Sequence, residues 1–120
     1  MSGFRFEKLD VWHRAVDFAD SVYNATSSFP AEERYGLTNQ MRRAAVSVSS
    51  NIAEGSGRAS DRDFGRFVEI AYGSLMEVVS QLSIAQRRKF ILKETFDTVY
   101  QQADEVARML SGLKSHLERG

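Results

Sequence analysis

Apolar residues recur every three or four positions along most of the chain, which is the spacing of one face of an α-helix. Four such stretches predict helices over about residues 9–27, 38–54, 61–88 and 94–117. The third would have about six to seven turns, a length that is normal in helical bundles. Only AVSVS, at residues 45–49, alternates at the period of a strand, and it lies inside the second helical pattern.

The connections between the helical stretches are short and carry residues that begin or end helices. Gly36 suits the end of a short helical turn, Thr38 the N-cap of the second helix and Gly55 its last residue. Ser60 suits the N-cap of the third helix. Four helices with short connections predict an all-α, antiparallel up-down four-helix bundle that forms a single domain across residues 1–120.

Composition supports one soluble domain. The chain has 120 residues, of which 42% are hydrophobic and 27% charged, so it can bury one core. It has no cysteine, which excludes disulfides, thiolate nucleophiles and zinc sites built on cysteine. Charges interrupt the N-terminal segment MSGFRFEKLD, and no long uncharged apolar run follows. We therefore expect an unprocessed cytoplasmic protein without a membrane segment.

Catalytic, metal and cofactor sites have little support in the sequence. EGSGRAS lacks the lysine and the preceding strand of a phosphate-binding loop, so a nucleotide or anion site at Gly55–Arg58 is a less favoured alternative. The two histidines, His13 and His116, lie far apart and neither forms a Glu-x-x-His motif. We expect no catalytic residue, no metal and no cofactor, and thus not an enzyme.

Basic residues form local groups although the net charge of the chain is zero. Arginine suits phosphate recognition because its planar fork can bind two oxygens. The alternative is a solvated face with local ion pairs such as Arg66 with Glu69. The candidate residues for binding a nucleic acid or another partner are Arg42, Arg43, Arg58, Arg62, Arg66, Arg87, Arg88 and Lys89.

The second helix lacks the charged, solvent-exposed face of an ordinary amphipathic helix, because no residue between 44 and 53 is charged. Small and apolar side chains on two flanks allow another backbone to approach closely, and the simplest partner is a second copy of the chain. The alternative is a helix that is merely central in its own bundle. The candidate interface residues are Val46, Ser49, Ala53, Ile70, Met76 and Ile84.

Three runs carry a family resemblance: LDVWHRAVDFADSVY, FPAEERYGLTNQMRRAAVSVSSNIAEGSGR and FVEIAYGSLMEVVSQLSIA. They resemble the four-helix-bundle protein family encoded in intervening sequences of bacterial 23S ribosomal RNA genes. That family is similar in turn to the accessory variability determinant protein of diversity-generating retroelements. The resemblance extends from about Phe6 to Leu117.

The resemblance implies an up-down four-helix bundle that assembles into a ring-shaped homopentamer, without a catalytic residue. For the retroelement relatives it also implies binding of RNA and of a reverse transcriptase through basic surface. This chain departs from the pattern at Ser49, where family members often have proline, and in its neutral charge. The function predicted is a non-enzymatic, oligomeric binding or scaffold protein whose partners are its own copies and either RNA or a reverse-transcriptase-like protein. A protein-only adaptor is the alternative.

Overall fold

The computed structural model describes residues 3–119, and four long helices account for most of them. They are α1 (Asp10–Thr26), α2 (Leu37–Ser56), α3 (Asp61–Arg87) and α4 (Lys93–Arg119). Two short 3-10 turns, Arg5–Lys8 and Ala31–Glu33, precede α1 and α2. The described residues contain no strand, so AVSVS is helical and the predicted all-α four-helix bundle is confirmed.

Each helix packs against its neighbours in the chain, and α4 closes the bundle by packing against α1. The molecule measures 44 × 24 × 23 Å, so the helices run along its long axis and successive helices run in opposite directions. One end holds the start of α2 and the end of α3, and we call it the Arg42 end. The other holds the end of α2 and the start of α3, and we call it the Arg58 end.

The core follows the predicted apolar stripes. Its largest fully buried side chains include Phe18 of α1, Met41 and Ile52 of α2, Leu75 of α3 and Leu110 of α4. Each helix contributes an apolar face to the same interior, so burial of these faces is the main stabilising term of the fold. Within residues 3–119 no helix has both the length and the apolarity that crossing a membrane requires.

The ends of α2 differ from the prediction. Gly36, expected to end the preceding turn, is the N-cap of α2, and Thr38 lies buried inside the helix rather than capping it. At the other end α2 continues through Gly55 to Ser56. Gly55 is buried where α2 meets α3, and a Cβ on it would lie 2.6 Å from the Cβ of Phe67. This glycine therefore permits close packing of two helices instead of ending one.

The start of α3 agrees with the sequence, whereas its end carries a feature that the sequence did not indicate. The Ser60 hydroxyl caps α3 by accepting a hydrogen bond from the backbone N–H of Asp63, at 3.1 Å. After α3, Lys89 adopts a left-handed backbone conformation with φ 65°, and the N–H of Phe90 bonds to the carbonyl of Ala85. This is a Schellman turn with lysine at the position that usually favours glycine.

Candidate nucleic-acid interface

The predicted basic residues divide between the two ends of the bundle. The hydroxyls of Ser47 and Ser74 are hydrogen-bonded at 2.9 Å, which sets the antiparallel register of α2 and α3. In that register Arg43 lies near Glu77, with which it lines a small surface pocket, and far from Arg66. Arg58, Arg62 and Arg66 therefore belong to the Arg58 end, whereas Arg42, Arg43, Arg87, Arg88 and Lys89 belong to the Arg42 end.

Carboxylates accompany the arginines at the Arg58 end. Arg58 contacts Glu54 at 3.2 Å and stacks over the Phe67 ring at 4.5 Å. Arg66 lies 3.9 Å from Asp63 rather than pairing with Glu69. Exposed pairs of this kind add little stability, but they reduce the positive potential that a phosphate would meet.

Glu69 is instead engaged by Lys114 of α4, which also contacts Glu118. The hydrogen bond from Lys114 Nζ to Glu69, at 2.8 Å, lowers the pKa of the Glu69 carboxyl below its ordinary value of 4.5. The bonds to Glu69 and then to Glu118 raise the pKa of Lys114 above 10.5. This three-residue group fastens α3 to α4 and carries a net charge of −1, so it is a structural feature and does not attract a phosphate.

Arg42 has a structural role at the Arg42 end. Its Nε donates to the Thr26 hydroxyl at 2.8 Å and its Nη2 to the Tyr23 carbonyl at 3.3 Å. The guanidinium also lies 4.7 Å from the centre of the Tyr23 ring. The residue thus satisfies carbonyl and hydroxyl groups at the C-terminus of α1, where a positive charge is also favoured by the helix dipole.

The other predicted cations of the Arg42 end are exposed and carry no carboxylate partner. Within residues 3–119 the ion pairs shorter than 4 Å involve none of Arg43, Arg87, Arg88 and Lys89. This end therefore presents cations that are unneutralised by close contacts, in contrast to Arg58 and Arg66.

Sequence reasoning missed one arginine of this surface. Arg34, in the connection before α2, is exposed and lies 5.6 Å from the ring of Tyr35, whose side chain is 86% exposed. Arg88 lies similarly over Phe90, at 5.9 Å. The sequence did contain an indication of this site, because Arg34 stands next to Tyr35 in the predicted turn before the second helix. Arginine beside an aromatic ring is typical of surfaces that bind single-stranded nucleic acids.

A groove of about 740 Å³ opens beside these cations, between α1 and the start of α4. Its walls come from three separate segments of the chain, which is why no local sequence pattern indicated it. The lining residues are Ser21, Asn24, Ala25, Ser28, Lys89, Phe90, Ile91, Leu92, Glu94, Thr95, Thr98 and Val99.

The candidate interface residues occupy more than one surface. Arg42 contacts Thr26 of α1, so it marks the flank of α2 that faces α1. Residues four, seven and eleven positions after it lie on the same flank, and these are Val46, Ser49 and Ala53. Ile70, four residues before Ser74, lies on the α2 side of α3, and Ile84 lies about 21 Å farther along that side. Met76 is rotated by about 240° from Ile70 and faces away.

The Gly55–Arg58 segment does not have the form of a phosphate-binding loop. Gly55 and Ser56 are buried residues of α2, and the backbone N–H groups of Gly57 and Arg58 donate to carbonyls of Glu54 and Gly55. These amides are thus occupied by the end of the helix. Among residues 3–119 there is also no group of three or more histidine, aspartate or glutamate side chains that could hold a metal ion.

Comparison with known proteins decides the family. The family model described as "23S rRNA-intervening sequence protein" matches residues 7–112, most of the chain. The chain belongs to this family. Members of a family share a fold, and the bundle described above is the fold of this member.

A solved structure has the same fold. The chain is similar to a protein of unknown function from the S23 ribosomal protein family of Bacteroides thetaiotaomicron VPI-5482. The TM-score is 0.81 at 22% identity, over 88% of this chain and 95% of that one. At that identity the likeness shows the fold alone. A comparison with curated proteins gave no match.

Proposed function

We propose that this protein is a non-enzymatic, cytoplasmic scaffold that assembles with its own copies and binds RNA at the Arg42 end. One observation carries the RNA part: Arg43, Arg87, Arg88 and Lys89 are exposed at one end of the bundle without a carboxylate within 4 Å among residues 3–119. Unpaired cations release counterions from a phosphate backbone when they bind it, which is the main source of affinity for nucleic acids.

The Arg58 end is a weaker candidate for the same role. Arg58 and Arg66 each have an acidic neighbour, and Arg58 is held against Phe67. To bind a phosphate there, Arg58 and Arg66 would have to give up these existing contacts, which would offset part of the affinity gained. Arg62 alone among the three forms no ion pair within the described part of the chain.

Self-assembly is supported by the outward side of α2. Val46 is 40% exposed on one flank of α2, and Ile70 is 52% exposed beside its other flank. No residue from 44 to 53 is charged, so the surface between them lacks the groups that normally keep a helix in water. A second copy of the chain could cover this surface, and a closed ring such as a pentamer would satisfy every copy equally.

The RNA proposal is tested by charge reversal at the two ends. The triple variant Arg87→Glu, Arg88→Glu and Lys89→Glu should lower the affinity for a fluorescently labelled structured RNA by about 100-fold or more at low salt. The slope of log affinity against log salt concentration should become shallower by about two. Each lost phosphate contact reduces the magnitude of that slope by about 0.7–0.9. Fluorescence anisotropy titrations at several salt concentrations measure both quantities.

The matched control reverses three charges at the opposite end: Arg58→Glu, Arg62→Glu and Arg66→Glu. This variant changes the net charge by the same amount. It should therefore show only the smaller loss of RNA affinity that comes from the electrostatic field of the whole protein. Wild-type protein that binds no RNA at low salt would refute the RNA role. Equal losses in the two triple variants would refute its location at the Arg42 end.

A further inference from the structure

The groove between α1 and α4 combines an apolar floor with a polar rim. Ala25, Ile91 and Val99 are buried and form part of the floor, whereas Asn24 and Thr95 stand at the rim. Its volume of about 740 Å³ lies within the range of about 300–1,000 Å³ that is usual for pockets that hold small ligands. A flat apolar ring with polar edges would fit such a lining.

Some polar groups at the rim already have partners and others do not. The hydroxyl of Ser28 donates to the Ala25 carbonyl at the end of α1, and that of Thr98 donates to the Glu94 carbonyl within α4, so both are already used. The side chains of Asn24, Thr95 and Glu94 take no part in the hydrogen bonds formed among residues 3–119. An amide, a hydroxyl and a carboxylate together offer donors and acceptors, which is what the edge of a nucleobase requires.

The groove is continuous with the exposed cations of the Arg42 end. Lys89 lines the groove, and Arg88 and Arg87 immediately precede it in the chain. The left-handed backbone at Lys89 forms the turn that separates the end of α3 from the floor residues Phe90 and Ile91. A ligand in the groove would therefore have positive charge at one side, which favours a heterocycle that is attached to phosphate.

We propose that this groove holds one unpaired base of an RNA strand, while the neighbouring phosphates contact Arg87, Arg88 and Lys89. The inference rests on the proposed function and narrows it from RNA in general to RNA that has at least one unpaired nucleotide. Bases inside a perfect A-form duplex are stacked and their major-groove edges are out of reach, so only an unstacked base can enter the groove.

The decisive experiment compares two RNA duplexes of the same sequence, of which one carries a single bulged 2-aminopurine nucleotide. The bulged duplex should bind about tenfold or more tightly, because burying and stacking one base on a protein surface has an effect of that size. Fluorescence anisotropy gives the two affinities. The emission of 2-aminopurine should change on binding, since the base moves from solvent into the groove.

Two variants show whether the groove causes the preference. Asn24→Trp places a large side chain at the exposed rim and should abolish the preference for the bulge, with affinity for the perfect duplex unchanged. Thr95→Val removes a hydroxyl at nearly constant volume and should reduce the preference for the bulged RNA without abolishing it. The control is Ser111→Trp, at an exposed position of α4 that lies outside the groove and toward the Arg58 end, which should leave both affinities unchanged.

The possible outcomes separate the two proposals. If neither RNA binds, both the RNA function and the groove are refuted. If both RNAs bind equally, or if the preference for the bulge persists in Asn24→Trp, the groove is refuted and the role of the arginines stands. A preference that Asn24→Trp abolishes and Ser111→Trp retains would support the groove.

Discussion

At the scale of single residues, Gly55 is the position where a side chain would do most harm to the fold. A Cβ added there would lie 2.6 Å from the Cβ of Phe67 and 2.9 Å from Cδ1 of Phe64. The Cβ of Phe67 is bonded directly to the α3 backbone and the ring of Phe64 is buried in the core, so neither atom can move away freely. Gly55→Ala should therefore lower the free energy of unfolding by about 2 kcal/mol, as overpacking of a core does. Urea denaturation measures the change.

The control for this prediction is Gly73→Ala, the same substitution in the middle of α3. An added Cβ at Gly73 meets no atom within 4 Å. Alanine is the better helix former, so this variant should raise the free energy of unfolding by about 0.5–1 kcal/mol. Two changes of the same sign would contradict the packing role assigned to Gly55.

At the scale of helices, α3 and α4 are fastened by Glu69 and Lys114, and this contact predicts a pH dependence. The pKa of Glu69 is lowered in the folded protein, so its contribution to stability is present above pH 4.5 and is lost as the pH falls through the lowered pKa. The pKa of Lys114 is raised, so its contribution is present below pH 10.5 and is lost as the pH rises through the raised pKa.

Glu69→Gln should therefore be less stable than the wild type by an amount that is constant at intermediate pH and shrinks in acid and in strong base. Thermal unfolding followed by circular dichroism between about pH 3 and 11 gives this difference. The control is Glu32→Gln, which removes a carboxylate without an ion pair among residues 3–119. A difference for Glu69→Gln that does not shrink in acid would refute the contact.

At the scale of the whole molecule, the surface between Val46 and Ile70 predicts assembly in solution. Light scattering behind a sizing column should give a mass that is a multiple of 13.6 kDa, with a ring of five copies as the expected species. The double variant Val46→Lys and Ile70→Lys should lower that mass, because it would bury charge at the contact. Tyr100→Lys, at an exposed position of α4, is the control and should leave it unchanged.

A wild-type protein that runs as a monomer at micromolar concentration would refute the assembly. If the mass of the double variant is unchanged, the copies contact one another through a different surface. The predicted interface residues Met76 and Ile84 lie apart from this surface and are not needed for the test.

The sequence was sufficient for features that depend on nearby residues. Met41, Val48 and Ile52 are buried as the helical spacing predicts, and Ser60 caps α3 through a partner only three residues away. The role of Gly55 was missed because Phe67 reaches it only through tertiary packing.

Separation in the chain also explains what was missed at the candidate site. Arg42 was grouped with the exposed cations, although its partners Thr26 and Tyr23 lie in α1, where no local pattern could reveal them. The groove beside Lys89 arises only when α1, the connection after α3 and the start of α4 come together.

An even number of antiparallel helices brings Gly3 and Arg119 to the Arg58 end of a body 44 Å long. A fluorophore or surface anchor that is joined at Gly3 or at Arg119 therefore emerges on the side opposite to Lys89 and the groove. Immobilised molecules would all present the Arg42 end to the bulk solution in one orientation. The connectivity of the bundle thus makes the protein suited to surface-based titrations in which the attachment does not obstruct the face under study.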